Sequence, residues 1–229
     1  MSRRLYGQLF AGLMYVGNNA AFAFPEDSVL PPPETDSDLT RPTDNFESSL
    51  GAQVQVDSRD YPYYPSRGVD AKVRAMFYRS TLGGDNNYEK VDYELNSYHS
   101  LSSRTILAWR VAGGGSYGDV PFSGLQSYGL RNSLRGYPAG KYRDRHMLTG
   151  QAELRWWFKP RWGTVAFAGS GRLWGSDERN TFRNGEWLPS VGAGLRFMAL
   201  PEKKITIRVD YAWGTGGNEG LYIGLMEAF

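Results

Sequence analysis

The sequence has no cysteine among its 229 residues, and this absence excludes disulfide frameworks, thiolate metal sites and cysteine nucleophiles. Histidine is scarce as well, since only His99 and His146 occur. Neither has the spacing of a metal ligand, and the chain contains no HExxH or GxSxG motif. We predict that the protein is not an enzyme and has no cofactor and no metal. A weaker alternative is a hydrolase that uses His146 with the nearby Asp144.

Long apolar runs are also missing. No stretch approaches the roughly 18 residues that a membrane-spanning helix needs, and the mean hydropathy is -0.50. Neither sign of charge dominates, because the sequence has 26 Lys and Arg residues and 24 Asp and Glu residues. The sequence therefore lacks the basic character of a nucleic-acid-binding protein, and we predict no nucleic-acid partner.

Glycine and aromatic residues are plentiful, in keeping with strands joined by tight turns. Several segments alternate apolar and polar side chains, which is typical of strands with one apolar face. In the segment 69–77, Val69, Val73 and Phe77 share one face, and Asp70 and Arg74 share the other. Other segments repeat this pattern, and their polar faces carry charges of both signs. The triple glycine at 113–115 is interpreted as turn material.

Alternation alone leaves two kinds of β-barrel open. A small soluble barrel has its apolar face inside, whereas a membrane barrel has its apolar face towards lipid. Strand length favours the membrane, because a bilayer crossing needs about 9–11 residues and soluble strands have about 5–6. We predict an all-β fold, an antiparallel transmembrane β-barrel of about ten strands, integral to a bacterial-type outer membrane. The predicted strands are 5–16, 46–56, 69–80, 88–98, 105–114, 147–157, 163–173, 188–200, 205–214 and 221–229.

The connections between these segments differ in kind. "KPRW" and "PEKK" are tight, whereas "GSDERNTFRNGEW" is long, and outer-membrane barrels have short periplasmic turns and long extracellular loops. We predict a single domain over residues 1–229. Residues 1–23 have features of a secretory signal, but we prefer them as the first strand because an even strand number is usual. The proline-rich and acidic segment 24–45 is predicted to be an extracellular loop.

Six short segments point to one family. The residues Leu134, Arg135, Gly136 and Tyr137 form an aliphatic-Arg-Gly-aromatic loop motif. "VDSRDYPYYPSRG" has the pattern of a turn motif, with matches at Asp57, Arg59, Asp60, Pro65 and Gly68. "QAELR", "VGAGLRF" and "IRVDYAWG" contain Glu153, Arg196 and Asp210. The last segment, with Leu221, Ile223, Leu225 and Phe229, is similar to a C-terminal assembly signal. In their order along the chain the motifs resemble those of the BamA/TamA superfamily of outer-membrane proteins, also called bacterial surface antigens.

The resemblance implies that the Arg-Gly-Tyr loop folds inward into the barrel. There it would brace the lumen, with groups of the wall holding Arg135; the expected set is Leu134, Arg135, Gly136, Tyr137, Glu153, Phe167, Arg196 and Asp210. The resemblance further implies that the turn motif is periplasmic. Membrane lipid and, through the C-terminal strand, the barrel assembly machinery are the expected partners, with no protein client identified.

The sequence departs from the family pattern in two respects. An aspartate that pairs with the loop arginine in family members is replaced here by Gly169, and Glu153 or Asp210 is expected to substitute. The chain also has no room for the longer barrel and the periplasmic POTRA domains of typical members, so we interpret it as a short form. The implied function is outer-membrane protein assembly or translocation. The alternative is a passive structural or narrow pore-forming barrel.

Overall fold

The structure is a computed structural model that describes residues 2–6, 8–20, 45–128, 134–175 and 185–229. One antiparallel sheet of eleven strands dominates it. The sheet strands are β1 (Ser2–Tyr6), β2 (Leu9–Ala20), β3 (Asn45–Asp57), β4 (Gly68–Tyr78), β5 (Tyr88–Ser102), β6 (Thr105–Gly118), β9 (His146–Trp157), β10 (Trp162–Trp174), β11 (Leu188–Leu200), β12 (Ile205–Gly214) and β13 (Glu219–Leu225). Two short strands, β7 (Gln126–Ser127) and β8 (Arg143–Asp144), pair with each other between β6 and β9. Short 3-10 helices span Ser80–Leu82, Phe122–Gly124 and Pro201–Lys203. No helix in the described ranges is long and apolar enough to cross a membrane.

Each strand of the sheet pairs with the next one along the chain, so the sheet is an up-and-down meander. β6 pairs with β9, and the connection that contains β7 and β8 lies between them in sequence. Within the described residues, β1 and β13 are the two edges, and no ladder joins them. The all-β, antiparallel fold predicted from the sequence is confirmed.

Most predicted strands agree with the structure. β11 and β12 begin and end where alternation placed them, at 188–200 and 205–214. The predicted first strand, 5–16, instead contains the end of β1 and much of β2, because the chain reverses between them. Of the predicted loop 24–45, residues 24–44 lie outside the described residues, and residue 45 begins β3.

The charged face of the sheet is buried and its apolar face is exposed. Along β9, Glu153 and Arg155 are buried, whereas Leu154 and Trp156 between them are exposed. The exposed face carries large apolar side chains on strands from β2 to β13, including Leu13, Leu50, Val54, Val73, Leu154, Val191, Leu195, Leu221, Ile223 and Leu225. Water would disfavour so broad an apolar surface, and a lipid environment favours it. The burial pattern thus selects the membrane alternative that alternation left open.

The two ends of the sheet differ. One end, which we call the short-turn end, carries the described connections 58–67, 103–104, 158–161 and 201–204, and the opposite end, which we call the long-loop end, carries 79–87, 119–128 with 134–145, and 215–218. The described residues of the connection between β6 and β9 contact distant parts of the sheet: Ser123 donates a hydrogen bond to Glu47 on β3, and Lys141 Nζ donates to Asn218 Oδ1 at 2.8 Å in the turn before β13. The described part of this connection therefore contacts both β3 and the turn before β13, which are far apart in the sheet order.

Candidate functional site: the Arg135 ion network

Arg135 lies on the buried face of the sheet and is completely buried. Its guanidinium donates to Glu153 Oε2 at 2.7 Å and to Asp210 Oδ2 at 2.9 Å. Its Nε donates to Gln151 Oε1 at 3.3 Å, and its guanidinium carbon lies 3.6 Å from the centroid of the Phe167 ring. Removing a guanidinium from water costs several kcal/mol, and these four partners offset that cost with charge-assisted hydrogen bonds and a cation–π contact.

The two carboxylates are shared with further arginines. Asp210 also accepts hydrogen bonds from Arg196 and from Arg208 Nη1, the latter at 3.1 Å. Glu153 accepts from Arg155 Nε at 2.6 Å. The resulting ion network comprises Arg135, Arg155, Arg196 and Arg208 with Glu153, Asp210 and Glu227. Because guanidiniums outnumber carboxylates in it, losing a carboxylate would leave buried positive charge uncompensated.

Glycines on neighbouring strands make room for the network. A Cβ on Gly194 would lie 2.0 Å from Asp210 Oδ1, its partner across the β11–β12 ladder. A Cβ on Gly169 would lie 2.5 Å from Gln151 Cγ and 3.2 Å from Leu134 Cδ1. The space that an aspartate would need at 169 is therefore filled by Gln151 and Leu134. Arg135 pairs with both of the substitutes considered from the sequence, Glu153 and Asp210.

The loop that carries Arg135 is anchored on both sides. The Gly136 N–H donates to Tyr222 Oη on β13 at 2.8 Å, and Ser190 Oγ donates to the Arg135 carbonyl. Tyr137 donates its hydroxyl hydrogen to the Pro189 carbonyl at 2.6 Å. Leu134 and Tyr137 are buried in an apolar cluster with Tyr128, Met147, Leu173 and Leu188. The motif therefore connects the centre of the sheet to its edge strand.

Gly136→Ala is expected to destabilise the protein for two reasons. Gly136 has φ +96, and a Cβ there would lie 3.0 Å from the Trp213 carbonyl carbon. Left-handed backbone costs about 1–2 kcal/mol for a non-glycine residue, and the crowding adds to this. Gly217→Ala is the control, because Gly217 has φ +74 with nothing near its Cβ position. Urea unfolding in detergent should show a larger loss for Gly136→Ala than for Gly217→Ala, and equal losses would contradict the close approach at Gly136.

The turn motif forms a compact unit at the short-turn end. Arg59 Nη2 donates to Asp57 Oδ2 at 2.8 Å. Asp60 Oδ1 accepts from the backbone N–H of Ser66 at 2.8 Å. Burial raises the pKa of Asp60, but its hydrogen bonds from Ser66 and neighbouring backbone outweigh that effect, so the pKa lies below its usual value. Gly68 has φ +103 with its Cβ position 2.3 Å from the Ser58 carbonyl oxygen.

The turn also contacts distant strands. The Pro65 carbonyl accepts a hydrogen bond from Arg155 Nη1 on β9 at 3.3 Å. Lys204, in the turn between β11 and β12, lies with Nζ 3.6 Å from the centroid of the Tyr61 ring. The motif residues thus hold a turn that reaches across the end of the sheet towards the ion network.

The residues after β13 leave the exposed face. Leu221, Ile223 and Leu225 are exposed on β13, as their alternation predicts. Phe229 does not continue this alternation, because the strand ends at Leu225 and Met226 has φ +66. The Phe229 ring centroid instead lies 5.9 Å from the guanidinium carbons of Arg135 and Arg155.

The two histidines have different surroundings. His146 contacts the rings of Tyr117 and Trp174, with centroid distances of 5.1 Å and 5.6 Å. His99 Nε2 shares a hydrogen bond with Ser97 Oγ at 2.9 Å. Nowhere in the described segments do three or more His, Cys, Asp or Glu side chains converge as metal ligands.

Sequence reasoning missed three partners of the loop. Gln151, Tyr222 and Glu227 all contact the loop or its ion network. Gln151 lies on the polar face of β9 with Glu153, so face alternation was a signal for it. Tyr222 and Glu227 had no comparable signal, because their contacts depend on how β13 and the residues after it approach the loop.

Comparisons with known proteins agree with the fold. A family model described as the Omp85 superfamily domain matches residues 12–229. Over 174 residues, the chain is 28% identical to the outer membrane protein assembly factor BamA of Nitratidesulfovibrio vulgaris, covering 69% of this chain and 22% of that protein. The crystal structure of BamA from Haemophilus ducreyi lacking POTRA domains 1–3 has a TM-score of 0.63 at 18% identity, covering 94% of this chain and 49% of that one. The chain therefore spans less than half the length of each of these two proteins.

Proposed function

The chain belongs to the Omp85 superfamily and is an integral outer-membrane protein, and from this premise we propose that it assists the assembly or translocation of other outer-membrane proteins without being an enzyme. The similar protein from Nitratidesulfovibrio vulgaris is described as an assembly factor, which supports this proposal. The proposal further includes that the turn motif 57–68 faces the periplasm, and that the assembly machinery recognises the C-terminal strand.

The observation that carries the proposal is the edge strand β13. Among the described residues it pairs with β12 alone, and its exposed face is apolar. Unpaired backbone groups at a sheet edge accept an additional strand, and they are costly inside a bilayer. A strand of a client protein that pairs with β13 would satisfy these groups while it enters the membrane.

We propose that the Arg135 loop acts as a brace that positions this edge. The loop joins β13 through Tyr222 and joins β9 and β12 through Glu153 and Asp210. A firmly held edge strand pairs with a client more readily than a disordered one, because less entropy is lost on pairing. The brace thus has a role in activity as well as in stability.

A folding assay with purified components tests the proposal. The protein is placed in lipid vesicles, and the rate at which a second, unfolded outer-membrane barrel protein folds into them is measured. We expect faster folding than in vesicles that contain an unrelated barrel at the same density. Equal rates would contradict the assembly role, and ion conductance through the same vesicles would then favour the pore-forming alternative.

A further inference from the structure

A notch with a few polar side chains lies at the short-turn end of β4 and β5. Its cavity of about 350 Å³ is lined by side chains that include Arg67, Val69, Ser97 and His99. Val69 pairs with Ser97, Gly68 pairs with Tyr98, and Arg67 is the last residue of the turn before β4. Ser97 and His99 lie two and four residues after Leu95 and share a face with Leu95 and Leu101, and Leu101 is exposed, which places them on the lipid-facing side of β5.

The notch presents hydrogen-bond donors to its opening. Ser97 Oγ and His99 Nε2 are 2.9 Å apart and share one hydrogen. If Ser97 donates to Nε2, the imidazole keeps Nδ1–H as a donor. If Nε2–H donates to Ser97, the hydroxyl hydrogen is free to donate elsewhere. In either tautomer the pair offers a donor beside the guanidinium of Arg67.

Arg67 adds a positive charge to these donors. Both Arg67 and His99 are exposed. Within the described ranges, no acidic side chain forms an ion pair with Arg67. A cation with hydrogen-bond donors in a recess matches a singly or doubly charged oxyanion.

The surroundings place the notch at the level of lipid headgroups. Trp156, Phe158 and Trp162 are exposed at the same end of the sheet, and such aromatic side chains mark a membrane–water interface. The turns of this end also carry several basic residues, namely Arg104, Lys159, Arg161, Lys203 and Lys204. Their combined potential favours anionic groups near the notch.

We propose that the Arg67–Ser97–His99 notch binds the phosphate of an anionic membrane phospholipid. The phosphate accepts hydrogen bonds from Arg67 and from the Ser97–His99 pair, and the acyl chains lie on the apolar face of β4 and β5. The inference rests on the membrane location of the sheet and not on the assembly role. The result of the folding assay therefore neither supports nor contradicts this lipid site.

Phosphatidylglycerol is the probe for this site. The full chain, refolded in a neutral detergent, is titrated with the lipid, and bound lipid is counted by native mass spectrometry. We expect one lipid to bind more tightly than the rest. Arg67→Gln should weaken this binding about tenfold, since a charge-assisted hydrogen bond is lost, and His99→Leu should weaken it about fivefold.

Arg104→Gln is the matched control, because it removes an equal charge from the adjacent turn outside the notch. It should weaken the tight binding by no more than about twofold, because it removes only a screened surface charge and no direct hydrogen bond. Equal weakening by Arg67→Gln and Arg104→Gln would overturn the site and indicate diffuse electrostatic attraction. Inorganic phosphate is added in a separate arm and should not displace the lipid; displacement would show that the notch recognises a free anion and would overturn the lipid assignment.

Discussion

Arg135→Ala is expected to lower the free energy of unfolding by about 3–5 kcal/mol, the usual cost of breaking a buried ion pair. The substitution leaves Glu153 and Asp210 buried with one guanidinium fewer between them and removes the contact with Phe167. Urea unfolding in detergent, followed by tryptophan fluorescence, measures the loss.

Two comparisons make this first prediction specific. Arg104→Ala, at an exposed arginine in the turn between β5 and β6, should change the free energy of unfolding by no more than about 0.5 kcal/mol. Gel mobility before and after boiling should show that wild type and Arg104→Ala retain a compact heat-sensitive form at temperatures that unfold Arg135→Ala. An unfolding curve of Arg135→Ala that superimposes on wild type would contradict the brace.

Asp210→Asn is expected to cost at least as much as Arg135→Ala. The carboxylate of Asp210 is fully buried and pairs with Arg135, Arg196 and Arg208. A neutral amide of the same size would leave three guanidiniums close together without their shared counter-charge. Because one buried charge network is affected, we expect a loss of about 3–5 kcal/mol in the same unfolding assay.

A double-mutant cycle tests whether Arg135 and Asp210 belong to one network or act as two independent sites. Arg135→Ala combined with Asp210→Asn should cost less than the sum of the single substitutions by about 1–3 kcal/mol, since each single change already breaks the same pair. Asp119→Asn, at an exposed position, serves as the control that should add to Arg135→Ala without coupling. Full additivity for Asp210→Asn would contradict a shared network.

The strands could be predicted because they are long and strictly alternating. β11 ends immediately before Pro201, and β12 ends at Gly214, shortly before further glycines. Proline and glycine interrupt strands. The interpretation of Gly113, Gly114 and Gly115 as turn material was wrong, because they lie within β6. A Cβ on Gly113 would lie 2.6 Å from the Tyr93 hydroxyl, so this glycine leaves room for a cross-strand ring.

The N-terminal strands show a limit of the same reasoning. β1 begins with Ser2, Arg3 and Arg4, which have no apolar alternation. Its pairing with β2 is set by the chain reversal between them, and periodicity carries no information about such a reversal. The alternation also could not predict which face of the sheet is buried, because the pattern is the same in either case.

The candidate site could be predicted in part. The motif residues Arg135, Glu153 and Asp210 were identified from their resemblance to a family, and the structure brings these three together. The hydrogen bond from Gly136 to Tyr222 depends on the path of the loop across the sheet. A contact between a loop and an edge strand so far apart in sequence leaves no local signal.

The central claim is that the apolar face of the sheet contacts lipid and the charged face does not. The absence of native cysteine allows single labels at Val165 and Ala166, neighbours on β10 that are buried and exposed, respectively. Each cysteine variant is labelled with a small fluorophore, refolded into vesicles and titrated with a lipid-borne quencher. We expect strong quenching at Ala166→Cys and little at Val165→Cys. Equal quenching at both positions, or quenching of Val165→Cys alone, would contradict the account.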